Sequence, residues 1–163
     1  MKNFFSIIAL ACFISVFSFS ETLAQDSKQE KQNKKEAAIK ALVDSQRYSF
    51  EAQTALPLGM RTRTLTYGYE LKVSKDTLQA YLPYYGKAYT APIGASSGGI
   101  EFKTTDFKYL TKERKKGGWD ITITPKNAGD TRQMSLYISA AGYASLQVSF
   151  NNKQNISFTG YIQ

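Results

Sequence analysis

The chain lacks histidine altogether, and its 163 residues include a single cysteine, Cys12. The absence of histidine removes the commonest general base, the usual metal ligand and the serine–histidine pair of hydrolytic enzymes. Cys12 lies in the apolar start of the chain, so the domain that follows has no thiol for a disulfide, a nucleophile or a metal site. Nucleotide, zinc and calcium loop patterns are also missing. We therefore expect a protein that is not an enzyme and that uses no cofactor or metal.

Acidic residues are few as well: 13 Asp and Glu stand against 21 Lys and Arg, which gives a net charge of +8. Such a balance is typical of a solvated basic surface, and it also suits contact with an anionic envelope surface. No nucleic-acid motif accompanies it, so nucleic acid is not expected as a partner. One basic cluster suits either an anionic surface or an edge strand protected against aggregation; it consists of Lys108, Lys112, Arg114, Lys115 and Lys116.

The first 24 residues have the pattern of a secretory signal. Lys2 supplies the positive start, an apolar stretch runs from Phe4 to Phe19, and Thr22-Leu23-Ala24 offers small residues to a signal peptidase. We predict cleavage near Ala24 and export to the periplasm or the cell envelope. A lipoprotein anchored at Cys12 is the second interpretation, but the apolar residues before Cys12 would be few and those after it are not polar.

Two segments precede the predicted strands. Residues 25–36 are polar and charged, which predicts a flexible lead. Ile39, Leu42 and Val43 then recur at helical spacing, so we predict a short amphipathic helix from roughly Lys34 to Ser45. Such a helix is marginal alone and must dock on the rest of the fold. Residues 37–163 are predicted to form a single domain that includes most of this helix.

From Tyr48 onward, apolar residues alternate with polar ones, which is typical of strands with one buried face; one such strand is predicted from Leu65 to Val73. Turn signals separate the strands at hairpin spacing. We predict a mainly β fold, an antiparallel up-and-down barrel of eight or nine strands with one short N-terminal α-helix that caps one end. The predicted inward side chains are bulky, so the interior should be largely filled and any cavity small and near one mouth. They are Phe50, Leu71, Leu82, Phe102, Phe107, Trp119, Ile121, Leu136, Phe150 and Phe158.

The stretch Tyr81–Pro92 departs from this alternation, because it packs four tyrosines, two prolines and a glycine into twelve residues. Tyrosine rings stack well on sugars, amphiphiles and peptides. We therefore predict a ligand site at this stretch. The alternative is that the same rings only close one end of the barrel, with the prolines and the glycine setting the bend. The four candidate residues are Tyr81, Tyr84, Tyr85 and Tyr89.

Five segments together resemble domain-of-unknown-function family 4251, which is found in exported proteins of Bacteroidetes. They are residues 48–59 (YSFEAQTALPLG), 81–92 (YLPYYGKAYTAP), 98–102 (GGIEF), 115–123 (KKGGWDITI) and 151–162 (NNKQNISFTGYI). The resemblance covers about residues 35–163. Its most specific part is the YLPYxGxAYxAP block, in which this chain has Tyr85 and Lys87 where Phe and Arg are frequent. The resemblance implies an exported bacterial protein with a lipocalin-like β-barrel, and it implies no activity, catalytic residue or ligand.

These features together predict a periplasmic or envelope-associated β-barrel that binds a small hydrophobic, lipidic or sugar-like ligand at a tyrosine-rich mouth. The alternative is a protein-interaction or structural module of the bacterial envelope with a filled barrel. The partner would be a small amphiphile in the first case and an envelope protein in the second. The sequence leaves the oligomeric state open.

Overall fold

The structure, a computed structural model, describes residues 20–66, 68–89, 98–115 and 117–163, with side chains of the helix from Gln29 onward. The first 19 of the 24 residues of the predicted signal segment lie outside the described residues. Within these described ranges, one helix, α1 (Ser20–Ser45), precedes ten strands. The strands are β1 (Tyr48–Pro57), β2 (Arg63–Thr64), β3 (Glu70–Val73), β4 (Leu78–Leu82), β5 (Ile100–Thr104), β6 (Phe107–Glu113), β7 (Trp119–Pro125), β8 (Thr131–Ile138), β9 (Tyr143–Phe150) and β10 (Ile156–Ile162).

Nine of these strands form a nearly closed antiparallel barrel. Their order around the wall is β5-β4-β3-β1-β10-β9-β8-β7-β6, and β2 pairs with the end of β1 beside this path. Strands that follow one another in the sequence therefore lie side by side, and the pairing of β1 with β10 joins the two halves of the wall. This arrangement confirms the predicted mainly β fold and its up-and-down barrel.

The hairpin pattern fails at one place, between β5 and β6. Because every ladder is antiparallel, the two strands at the ends of the nine-strand order run in the same direction. They are halves of one bent strand, since only Thr105 and Asp106 separate them. The buried hydroxyl of Thr104 donates to the carbonyl oxygen of Lys126 at 2.9 Å and accepts from the N–H of Asp106 at 3.2 Å. The bend thus transfers the chain from pairing with β4 to pairing with β7.

The inward side chains form one apolar core. Eight of the ten predicted inward residues are buried, and the other two, Phe102 and Phe107 on either side of the bend, are half-buried. Tyr48 on β1 and Tyr109 on β6 reach towards each other across the barrel, with their hydroxyl oxygens 2.9 Å apart. Burial raises the pKa of Tyr48 far above its ordinary value, so this buried hydroxyl stays protonated. Side chains therefore occupy the interior of the barrel.

The helix α1 packs against one end of the barrel through the apolar stripe that the sequence predicts. Ile39 and Val43 are buried in the core cluster, and Leu42 packs against it. The Ile39 side chain lies so close to Gly142, in the turn between β8 and β9, that a Cβ atom there would approach it to 2.8 Å. The predicted docking of the helix on the fold is confirmed.

This helix is longer than predicted, because it begins at Ser20 and not near Lys34. Residues 25–36, which we expected to be a flexible lead, are helical. They are mostly Lys, Glu and Gln, which favour helices, and they include no proline or glycine. The side chains of Glu30 and Lys34, one turn apart, form an ion pair of 2.7 Å.

The strand predicted from Leu65 to Val73 is broken. Only its second half forms β3, while β2 pairs separately with β1. Gly68, between these two strands, has a φ of 105°, which other residues rarely adopt. The chain leaves the regular sheet at this glycine, and Tyr69 emerges beside β4.

The register of the β1–β10 ladder can be tested at Gly160, which lies in this ladder beside the register shift of β1. A Cβ atom added there would overlap the carbonyl oxygen of Glu51. Gly160→Ala should lower the free energy of unfolding by about 3 kcal/mol, since the backbone can relieve the overlap only by distorting the ladder. Urea unfolding followed by circular dichroism measures the change, with Thr159→Ala at the exposed neighbouring position as the control. An unchanged unfolding midpoint for Gly160→Ala would contradict this register.

Candidate functional site

The candidate site is a recess at the rim of the barrel, where the outer wall formed by β4 and β5 meets the end opposite α1. Its volume is about 260 Å³, and it is open to solvent. We call it the tyrosine recess. It is lined by Tyr69, Tyr81, Leu82, Pro83, Tyr84, Gly98, Gly99 and Glu101.

The alternation of β4 places Tyr81 in the recess. Ala80 and Leu82 point inward and are buried, so Tyr81 points outward, with 48% of its surface exposed. Its ring stacks on that of Tyr69, with ring centroids 5.6 Å apart and planes inclined by 18°. Glu101 stands opposite Tyr81 in the β4–β5 ladder. The recess therefore combines a two-ring aromatic platform with a carboxylate.

Tyr84 forms the inner wall of the recess. Proline has no N–H for the ladder, so β4 ends before Pro83 and the chain turns over the end of the barrel. The Tyr84 ring packs edge-to-face on Phe150 with centroids 5.3 Å apart, and its hydroxyl donates to the carbonyl oxygen of Gln154 at 3.0 Å. Burial raises the pKa of Tyr84, which keeps this donor protonated. Tyr84 thus closes the barrel end while it borders the recess.

The other two predicted site residues do not line the recess. Tyr85 is half-buried, and the guanidinium of Arg63 lies 4.5 Å from the centre of its ring, which is a cation–π geometry. Tyr89 is 71% exposed, and its backbone N–H donates to the carbonyl oxygen of Asn152 at 2.8 Å. Of the four predicted residues, the recess brings together Tyr81 and Tyr84.

Two residues that line the recess, Tyr69 and Glu101, were not among the predicted site residues. The alternation from Leu65 to Val73 predicts Tyr69 on the buried face of a continuous strand, and the signal that could have shown otherwise is Gly68, where that strand breaks. Glu101 follows from the register of β4 against β5, but the long connection between these strands hides that register in the sequence. Neither residue stands next to Tyr81 in the chain.

Two more carboxylates, those of Glu70 and Glu51, lie along the outer wall of the barrel. Glu70 is opposite Tyr81 in the β3–β4 ladder and opposite Glu51 in the β1–β3 ladder. Partial burial raises the pKa of Glu70, but hydrogen bonds, chiefly that from Lys72, outweigh this effect and hold the pKa below its usual range. An aromatic ring with acidic residues on both sides, Glu70 and Glu101, is thus exposed on an otherwise basic protein.

The predicted basic cluster is separate from the recess. Lys108 and Lys112 are exposed on β6, which ends the strand order as an edge strand would. The guanidinium of Arg114 donates two hydrogen bonds to the carboxylate of Asp120, of 2.7 and 2.6 Å, and these bonds lower the pKa of that carboxyl. The same guanidinium lies over the ring of Tyr137. Lys116 lies outside the described residues. Arg114 is therefore engaged within the protein.

The described residues lack two further features. No group of three or more histidine, cysteine, aspartate or glutamate side chains in that part of the chain could hold a metal ion. Within the same residues, no helix combines the length and apolar character that crossing a membrane requires.

Comparison with known proteins places the chain in a family. The model of the domain of unknown function DUF4251 matches residues 30–162, and the chain belongs to this family. A similar solved structure is the crystal structure of a DUF4251 family protein from Bacteroides eggerthii DSM 20697. The two chains share 14% sequence identity with a TM-score of 0.58, over 78% of this chain and 86% of that chain. At this identity the similarity shows the fold alone. No curated protein matches the chain.

Tyr84 both borders the recess and closes the barrel end, and the second of these roles can be tested by measuring stability. Tyr84→Phe keeps the ring but leaves the carbonyl oxygen of Gln154 without its hydroxyl donor, which should cost about 1 kcal/mol of unfolding free energy. Tyr84→Ala also removes the contact with Phe150 and should cost about 3 kcal/mol. Urea unfolding measures both, and Tyr89→Phe at the exposed tyrosine is the control. Equal unfolding midpoints for Tyr84→Ala and the original protein would show that this ring does not close the barrel end.

Proposed function

We propose that the protein is a non-enzymatic, exported binding protein that holds a sugar-like ligand in the tyrosine recess. The observation that carries the proposal is the exposed ring of Tyr81, stacked on Tyr69 and bordered by Glu101. A sugar ring has apolar C–H groups on its faces and hydroxyls around its edge. The face suits contact with an aromatic ring, and a carboxylate accepts hydrogen bonds from the hydroxyls.

The position of the recess favours a sugar over a lipid. Core side chains occupy the barrel interior, where a lipocalin-like fold would hold an apolar chain. The recess is open to solvent, and its volume of about 260 Å³ is below the roughly 300–1,000 Å³ of most small-molecule sites. A ligand of one or two rings matches this size. The binding site proposed here is therefore at the rim of the barrel and outside its core.

The compartment and the absence of catalysis are part of the proposal. The signal pattern of residues 1–24 supports export to the periplasm or envelope. The absence of histidine supports a binding role, since it removes the commonest general base. Aromatic stacking and hydrogen bonding require neither a cofactor nor a metal.

A second candidate function is a protein-interaction or structural module of the envelope. The filled core favours it, because such a barrel needs no ligand within it. Tyr81 and Tyr89, with 48% and 71% of their surfaces exposed, would then contact a partner protein. This function predicts that substitution of Tyr81 leaves sugar binding unaffected.

Tyr81→Ala separates the two functions. Saturation-transfer NMR with a panel of neutral and acidic mono- and disaccharides identifies any sugar that binds, and titration then measures its affinity. Loss of the stacking ring should weaken binding about tenfold, which corresponds to roughly 1.4 kcal/mol. Tyr143→Ala is the matched control, because Tyr143 is a 68% exposed tyrosine on β9 that does not line the recess.

Loss of binding can be distinguished from loss of folding because Tyr81 is exposed. The Tyr81→Ala substitution should therefore leave the unfolding midpoint near that of the original protein. Weaker binding in Tyr81→Ala and unchanged binding in Tyr143→Ala would support the proposal. If no sugar in the panel binds, or if both variants bind as the original protein does, the recess is not a sugar site. Cross-linking from position 81 would then test the interaction module.

A further inference from the structure

The end of β1 and the turn that follows it expose three large apolar side chains within five residues. Leu56 is 38% exposed, Leu58 64% and Met60 45%. We call these three residues the apolar tip. The other large exposed apolar side chains of the described residues are Tyr81, Tyr89, Leu110 and Tyr143, and no two of them are within five positions in the sequence. Single exposed apolar residues are ordinary, whereas a group of them marks an interaction surface.

The geometry of the turn directs the apolar tip into solvent. Pro57 is buried at the end of β1, and its carbonyl oxygen accepts a hydrogen bond from the N–H of Met60 at 3.4 Å. Gly59 has a φ of 72°, a conformation that glycine adopts without strain. Leu58 and Met60 therefore project from a tight turn at the end of the barrel.

Two arginines follow the apolar tip. Arg61 and Arg63 are exposed, and neither forms an ion pair with another described residue. No acidic residue stands between Glu51 and Glu70 in the sequence, and the chain carries a net charge of +8. The apolar tip is therefore bordered by two positive charges that no described acidic side chain neutralises, and the Arg63 guanidinium also lies over the ring of Tyr85.

The same end of the barrel presents an exposed aromatic ring. Tyr89 is attached by its backbone N–H to Asn152, in the turn that leads into β10. The first residue of β10, Ile156, pairs with Pro57 at the base of the apolar tip. Exposed tyrosines are common where proteins meet the headgroup region of a bilayer.

We propose that the apolar tip docks on an anionic phospholipid surface. Leu58 and Met60 enter the boundary between headgroups and acyl chains, and Arg61 and Arg63 bind lipid phosphates. Charge decides between this occupant and a second copy of the chain, because two tips brought together would place four arginines side by side. The proposal concerns a different surface from the tyrosine recess and stands without it.

Vesicle flotation tests the proposal on the full chain as the cell makes it. Vesicles of phosphatidylcholine with phosphatidylglycerol are compared with vesicles of phosphatidylcholine alone. The protein should float with the anionic vesicles only, and added salt should release it because the phosphate contacts are screened. The double variant Leu58→Asp/Met60→Asp should lower the bound fraction about tenfold, since charged side chains do not enter the apolar boundary.

Leu110→Asp is the matched control. Leu110 is 68% exposed and has the exposed Lys108 and Lys112 as its nearest neighbours on the same face of β6. It therefore shares the exposure and the basic surroundings of the apolar tip but lies on the barrel wall. Vesicle binding by Leu110→Asp should equal that of the original protein. Circular dichroism of each variant checks that its fold is retained.

Four results would overturn the proposal. The double variant at Leu58 and Met60 could bind as the original protein does, or Leu110→Asp could lose binding to the same degree. The original protein could bind neutral and anionic vesicles equally. It could also fail to bind any vesicle and form a dimer that the double variant abolishes, which size-exclusion chromatography with light scattering detects; the apolar tip would then be a contact between copies of the chain.

Discussion

The ladder between β1 and β10 is the interaction on which the rest of the structure depends. It joins the first wall strand to the last, so the apolar faces of all the other strands are covered only when it forms. The ladder passes the register shift between Ala52 and Thr54, where Gly160 leaves room for the carbonyl oxygen of Glu51. Since its residues are about a hundred positions apart in the chain, this closure is the most non-local step in forming the domain.

Closure of the wall also determines where function can reside. The helix α1 packs against one end of the barrel, and Tyr84 with Phe150 closes the other. The core side chains occupy the space between these two closures. What remains exposed is the outer wall and the rim, where Tyr81 stands in the recess and Leu58 projects from the apolar tip. A filled interior therefore leaves these outer surfaces for the binding roles proposed above.

Much of the barrel wall could be predicted because apolar residues at every second position indicate which face of a strand is buried. The alternation of β7 and β9 is regular, and Ile121 and Phe150 are buried as predicted. Two other features could not be read in the same way. The two residues between β5 and β6 resemble a hairpin turn, although the strand continues past them. The break at Gly68 depends on its positive φ, which the surrounding alternation conceals.

The candidate site was predictable only in part, for a related reason. A cluster of tyrosines is visible in the sequence, but the direction of each ring depends on tertiary structure. Tyr81 points outward by strand alternation, whereas Tyr84 turns over the barrel end after Pro83. Tyr69 joins the site through a stacking contact that spans two strands. The tyrosines of the cluster thus occupy different positions: Tyr81 is exposed on the outer wall, and Tyr84 packs at the barrel end.

The central claim is that side chains fill the barrel and that any ligand binds outside it. Native mass spectrometry tests this claim most directly, on protein recovered from its own host and never unfolded. A filled interior predicts the same polypeptide mass before and after denaturation, because a sugar in an open recess exchanges freely. A discrete extra mass of lipid size, one per chain and released only on unfolding, would contradict the claim and would place the ligand inside the barrel.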